Sequence, residues 1–303
     1  MAKINANGIQ IEFDTFGRAD GSPLLLIAGL SCQLIHWDAA LCEQLARRGH
    51  YVIRFDNRDV GLSSKIDEAG EPDIMKTIEA LMMGEPVNPP YTIEDMADDA
   101  IGLLDALSIE KAHICGMSMG GMIAQTIAVN YPQRVLSLIS IYSNMGDPED
   151  PHPKPEAFEL ITTPLPEERE ANIEHTMKLF RTITGPGFPF DEEWHRNIAA
   201  KAYDRGFYPQ GLARQFVAIL TQKNRRSALA SVTVPTLVVH GTADPLVPVE
   251  CGKKTAAAIP GAELMIIDGM GHDIPHGGAW PQIVDAIVDH IHRADEEKSD
   301  KMG

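Results

Sequence analysis

The chain has 303 residues, of which 44% are hydrophobic and 23% charged. That is enough apolar material for one large core under an ordinary globular surface. The formal net charge of −17 repels phosphates, so nucleic acid is not an expected partner.

Cys32, Cys42, Cys115 and Cys251 are scattered, with no CxxC and no Cys/His cluster. No disulfide framework, metal site or cofactor is expected from them. The opening "MAKINANGIQIEFD" contains no apolar signal-peptide core, and the longest apolar run is "LLLIA". The expectation is a soluble cytoplasmic protein without a membrane span.

Six short runs predict buried strands: "PLLLIAG" (23–29), "YVIRFD" (51–56), "AHICG" (112–116), "VLSLISIYS" (135–143), "TLVVHG" (236–241) and "ELMIID" (263–268). They are continuous rather than alternating, as in strands covered on both faces of a parallel sheet. After the second strand, residues 64–91 form a long connection with a short predicted helix in "DIMKTIEALMM". Thr92 caps the next helix, whose Met96, Ala100, Leu103, Leu104 and Leu107 share a face. "GGMIAQTIAVNYP" predicts a buried helix that stops before Pro132.

Residues 146–227 break the alternation. They show no buried strand, only helical stretches near 155–162, 167–184, 191–205 and 209–224, divided by Pro and Gly. The organisation expected is a core in two parts, 1–145 and 228–303, with a helical insert, 146–227, between them. A last helix aligns Ile283, Val284, Ile287, Val288 and Ile291, and the charged tail "RADEEKSDKMG" is expected to be disordered. The fold class is α/β with a mostly parallel sheet.

"HICGMSMGGM" (113–122) places Gly116 and Gly120 around Ser118, between a predicted strand and a predicted helix. Gly-x-Ser-x-Gly alone is weak evidence, but a strand–turn–helix setting is what a nucleophile elbow requires. A serine hydroxyl needs a base, and the base needs an orienting carboxylate. Asp244 follows the strand 236–241 and His272 follows the strand 263–268, in the order Ser, acid, His. All three fall at carboxyl ends of strands, where open α/β sheets bind ligands.

Rivals exist for each partner. Asp147 follows the strand 135–143 and competes for the acid; Asp268 and Asp273 flank His272. His113 and His240 read as core residues, His290 and His292 as solvated, and His195 as a helical surface residue. For the oxyanion, the backbone N–H of Met119 is one expected donor and that of Leu30 the second. "FDNRDVGLSS" (55–64) reads as a hydrogen-bonded brace beside the site.

"IAGL", "FDNRDVGLSS", "GMSMGG", "HGTADPLVP" and "GMGH" together resemble the α/β-hydrolase family over essentially the whole chain. Within it, "IRFDNRDVGLSS", "FPFDEEWHRNIAAKA" and "IPGAELMIIDGMGHDIP" are similar to the aclacinomycin methylesterase group, which removes a methyl ester from a bulky polyketide. The resemblance implies an α/β-hydrolase fold with 146–227 as its cap. It also implies a serine carboxylesterase acting on a small-molecule ester, with Ser118, Asp244 and His272 catalytic and no cofactor. Carbon–carbon bond hydrolases and cofactor-free haloperoxidases share the triad and stay open, as does a binding protein on this scaffold. Substrate choice is expected to lie in the insert and in 64–91, with Met75, Met82, Met83, Met177, Leu179 and Phe180 as adaptable apolar groups.

Overall fold

The computed structural model describes residues 1–276 and 278–300, the last four of these by backbone alone. Two strands that the apolar runs do not predict come first. β1 (Ala2–Ala6) and β2 (Ile9–Phe16) pair antiparallel across Asn7–Gly8, where both residues take positive φ. An Asn-Gly pair is the usual solution for a two-residue hairpin turn.

β3 (Ser22–Ile27), α1 (Ala39–Arg47) and β4 (His50–Phe55) follow, then α2 (Ile74–Met82), α3 (Ile93–Ala106) and β5 (Ala112–Met117). Next come α4 (Met119–Asn130) and β6 (Val135–Ile141). Between β6 and β7 (Thr236–Gly241) lie α5 (Pro155–Thr162), α6 (Arg169–Ile183), α7 (Glu192–Gly206), α8 (Pro209–Leu220) and α9 (Arg226–Leu229), with no strand among the described residues. α10 (Val249–Ala258), β8 (Glu263–Ile267) and α11 (Trp280–Asp300) complete the chain. The sheet has eight strands in the order β1-β2-β4-β3-β5-β6-β7-β8, parallel from β4 to β8.

The continuous apolar runs are explained by this sheet. Along β3, Leu25 and Ile27 enter the core under α3 and α4, while Leu24 and Leu26 enter the core under α1 and α11. All four are fully buried, each contributing roughly 1.5–3 kcal/mol relative to exposure. Thr92 and Asp95 close a capping box on α3, which satisfies N–H groups that the helix start leaves without partners.

α11 corrects the expected disordered tail. It runs to Asp300 because Ala294 extends the buried face of Ile287 and Ile291, while Arg293 pairs with Glu263 at 2.7 Å. Residues 301–303 lie outside the described residues. His290 is also buried, not solvated, whereas His292 is exposed.

The helices between β6 and β7 are tied to the core by buried ion pairs. Arg205 of α7 bonds Asp56 at 2.7 Å, and Arg214 of α8 grips Asp59 with both Nε and Nη2, at 2.8 and 3.0 Å. α2 covers little: Met75, Met82 and Met83 are exposed, Met82 at 84%.

Candidate active site

β5 ends at Met117, and the next residue, Ser118, has φ 54° and ψ −122° before α4 begins. A serine there is strained by about 1–3 kcal/mol, held by its surroundings. Those surroundings are too close for side chains. A Cβ on Gly116 would stand 2.0 Å from the Gly120 carbonyl oxygen, and one on Gly120 would stand 2.1 Å from that of Ile27. Backbone bonds fix the turn: Ser118 N–H donates to Ile141 O at 2.9 Å, and Ser143 Oγ donates to Ser118 O at 2.7 Å.

Asp244 and His272 reach Ser118 from the loops after β7 and β8. His272 Nε2 lies 2.8 Å from Ser118 Oγ, and His272 Nδ1 lies 2.8 Å from Asp244 Oδ2. The other Asp244 oxygen accepts the backbone N–H groups of Leu246 and Val247 at 2.9 and 2.8 Å. A carboxylate at Nδ1 keeps the proton on that nitrogen and leaves Nε2 able to accept from the serine. Burial pushes the Asp244 carboxyl up, but the His272 and His240 rings outweigh it and hold it down at about 2. Asp244 is therefore an anion across the physiological range.

The loop after β3 passes directly against the serine: a Cβ on Gly29 would stand 3.2 Å from Ser118 Cβ. Met119 opens α4, where first-turn N–H groups have no intrahelical acceptor. No protein acceptor takes the N–H of Leu30 or Met119 among the described residues. Asn57 Nδ2 supports this loop by donating to Ala28 O at 3.1 Å, and Asp56 accepts Leu34 N–H at 2.7 Å.

A cavity of about 220 Å³ opens on Ser118 and His272. Its wall includes Gly29, Leu30, Trp37 and Tyr142 and, from the segment between β6 and β7, Leu160, Leu179, Phe180, Ile183, Trp194 and Tyr203. Its charged lining residues are Asp38, Asp59 and Asp273, with no Lys or Arg among those described. Burial and the nearby Asp273 push the Cys32 thiol in this wall up to about 12. It stays protonated and therefore poorly nucleophilic.

Several expectations are corrected here. No residue of 64–91 lines the cavity, and Met82 and Met83 face solvent; Met177 is buried in a cluster with Ile173 and Ala199 rather than at the wall. Within the connection 64–91, α2 packs against α8. His195 is not a surface residue: it is 1% exposed and bonds Asp273 at 3.0 Å. Asp147, the rival acid, pairs with Arg226 at 2.6 Å and accepts Glu149 N–H, away from His272. Asp268 accepts from Thr242 at 2.9 Å.

Sequence reasoning missed Tyr142, whose ring centre lies 4.6 Å from that of His272 and whose hydroxyl donates to Met117 Sδ. Its place just past the carboxyl end of β6 was the available signal. It also missed Gln215 of α8, fully buried, whose Oε1 accepts Ser31 N–H at 2.8 Å. A glutamine inside an apolar helix carries no such signal.

The fold and this geometry define a class, and comparison with known proteins names it. The chain belongs to the alpha/beta hydrolase fold family, whose model matches residues 22–279; it is a hydrolase of that family. Among its relatives, the rhodomycin D methylesterase DnrP of Streptomyces peucetius is 30% identical over 292 residues, covering 90% of this chain and 92% of that protein. The corresponding DauP of a Streptomyces species is 28% identical with the same coverage. The resemblance to a methylesterase group therefore extends over nearly the whole length. Among solved structures, a meta-cleavage product hydrolase from Pseudomonas fluorescens superposes with a TM-score of 0.74 at 20% identity, covering 97% of this chain and 98% of that one. That likeness shows the fold. No described helix is long and apolar enough to cross a membrane.

Proposed function

We propose that this protein is a serine carboxylesterase acting through an acyl-enzyme on small to medium neutral carboxylic esters, methyl esters among them. The observation that carries the reading is the hydrogen-bonded chain Ser118–His272–Asp244, with both distances at 2.8 Å, beside an apolar cavity. Ser118 Oγ attacks the ester carbonyl carbon as its proton passes to His272 Nε2. The N–H groups of Leu30 and Met119 receive the developing oxyanion. His272 returns the proton to the departing alcohol, and water, deprotonated in turn by His272, releases the acid. No step calls for a metal or cofactor.

The insert, 146–227, acts in this reading as a cap over a core made of 1–145 and 228–303. Its wall residues set which acyl and alcohol groups enter. No described Lys or Arg lines the cavity, and two of its three aspartates are already partnered, Asp59 by Arg214 and Asp273 by His195, so an anionic substrate finds no free cation there. That favours neutral esters over dicarboxylate substrates. The methylesterases among its relatives support an ester as substrate.

The test is a panel of p-nitrophenyl and methyl esters, varied independently on the acyl and alcohol sides, run with a vinylogous diketone and with peracid-dependent halogenation. Ester turnover far above both supports the reading. Faster cleavage of the diketone would move the protein to the carbon–carbon bond hydrolases, and faster halogenation to the haloperoxidases. A fluorophosphonate that leaves Ser118 unlabelled would point to a binding protein.

A further inference from the structure

Resting on the esterase reading, we propose that the insert segment Ile183–Gly187 and His195 of α7 position His272, making the insert part of the base's support rather than a roof above it. The loop after β8 does not stand on the core alone. His272 N–H donates to Ile183 O at 2.6 Å, Gly271 N–H to Thr184 O at 2.8 Å, and Gly187 N–H to Gly269 O at 2.9 Å. The pairings run antiparallel, 183 with 272, 184 with 271 and 187 with 269, so two irregular loops share a short ladder.

The ladder needs bare backbone on both sides. A Cβ on Gly187 would stand 2.6 Å from Gly269 Cα, and one on Gly271 would stand 1.9 Å from Ile183 O. "GPG" (185–187) and "GMG" (269–271) answer one another. Only glycine lets two main chains approach this closely.

A buried polar contact locks the same joint one residue further on. Asp273 Oδ2 lies 3.0 Å from His195 Nε2 and 3.1 Å from Thr184 Oγ1. His195 Nδ1 lies 2.7 Å from Asp191 O. Both ring nitrogens of His195 therefore have a partner. Phe190 stacks on that ring at 4.1 Å, and Phe180 and Trp194 lie 4.9 Å away. Packed rings and a fully partnered buried network hold one geometry.

His272 is thus held from two sides. Asp244 of the core orients the ring at Nδ1, and the insert holds the backbone N–H of His272 and the side chain after it. Proton transfer needs the serine and the base within about 2.6–3.2 Å. A misplacement near 1 Å can lower the rate by roughly 10²-fold. His195 does not touch the reacting atoms; it is a positioning residue, acting through Asp273.

The experiment is steady-state hydrolysis of p-nitrophenyl butyrate by the full chain and its variants, with circular dichroism and thermal unfolding as controls. His195→Phe keeps an aromatic ring and loses the bond; it is expected to lower kcat by about tenfold or more, with KM within about threefold. Gly187→Ala, which wedges the ladder from the insert side, is expected to do the same. His195→Gln retains a donor near Nε2 and is expected to recover most of kcat. Because His195 and Asp273 act through one bond, His195→Phe/Asp273→Asn should be no worse than the poorer single variant. Folded variants with kcat within twofold of the parent, measured well below their Tm, would overturn the proposal. So would losses carried by KM alone. If His195→Phe does not fold, Gly187→Ala and Asp273→Asn decide on the same criteria. A parent that neither turns over esters nor labels with fluorophosphonate overturns the esterase reading itself; an active parent with unaffected variants overturns only the positioning role.

Discussion

Two clusters of serine, histidine and aspartate stand at opposite ends of the same sheet, and β5 contributes to both. At its carboxyl end, Ser118 and Asp244 meet opposite nitrogens of His272. At its amino end, Ser22 Oγ and an Asp295 oxygen both meet Nε2 of His113, at 3.1 and 3.4 Å, while Ser137 Oγ meets Nδ1 at 2.8 Å. The residue types match, but the polarity does not. A carboxylate across the ring leaves a lone pair aimed at the serine; a carboxylate on the serine's own side competes for the same nitrogen. Ser118 also sits on a strained turn at the start of a helix and faces a cavity, whereas Ser22 opens a strand and helps moor α11. Residue identity proposes a site, and placement across the imidazole decides it.

The largest contrast comes from removing each serine. Ser118→Ala is expected to lower kcat/KM for p-nitrophenyl butyrate by about 10⁴-fold or more with an unchanged circular dichroism spectrum, and Asp244→Asn by roughly 10³- to 10⁴-fold. Ser22→Ala should remain within about twofold, because a hydrogen bond at a sheet margin contributes stability rather than chemistry. Asp147→Asn should likewise change kcat/KM little; a larger loss than Asp244→Asn would sink the assignment of the acid.

The elbow itself offers the next largest effect. Gly116→Ala or Gly120→Ala forces a methyl group into backbone about 2 Å away. The expected cost is about 3 kcal/mol or more, with a lowered Tm and lost ester turnover together. An active, unshifted Gly116→Ala protein would contradict the tight turn.

Acid should separate the two ends by pH. His50 stands near the amino-end cluster, buried, with neither ring nitrogen partnered among the described residues. Burial first, then His113 and His292, push its pKa down from 6.5 to about 4. The unfolded chain therefore binds the extra proton more readily, and stability should fall as pH drops from about 6.5 to about 4, by on the order of 3 kcal/mol. Asp244 acts with the same sign in a lower window: its depressed pKa contributes stability above about 3.8, lost as pH falls toward about 2. Thermal unfolding across pH 7 to 2 should show both windows, and His50→Leu should flatten only the upper one. An unchanged upper window in that variant would remove His50 from the account.

The smallest effects concern the cavity wall. Phe180→Ala should shift the ratio of kcat/KM between acetate and hexanoate esters by several-fold, roughly 1 kcal/mol. Met82→Ala and Met83→Ala, at the exposed carboxyl end of α2, should leave that ratio unchanged. If the methionines moved it and Phe180 did not, the substrate would bind outside the cavity described.

Much of this was legible in the sequence because it is written locally. β3 and β5 show as continuous apolar runs because both faces of the strand are covered. The glycines around Ser118 mark a turn whose tightness is partly local, Gly116 lying against Gly120 four positions on, and Asp244 and His272 fall just past strand ends. The hairpin of β1 and β2 was missed, although Asn7–Gly8 and the alternation of Ile9, Ile11 and Phe13 carried its signal, because its strands are half polar and make weak runs. Other features depend on contacts between distant segments. His195 lies in a largely polar helix, and only the closing of Phe180, Phe190 and Trp194 around it, with Asp273 arriving from 78 positions away, makes it a buried partner. Gln215 acquires its partner from 184 positions away. Met82 and Met83 looked like pocket residues by composition, yet the packing of α2 turned them to solvent. Periodicity records which face of an element is apolar; it does not record which other element that face, or a polar residue within it, will meet.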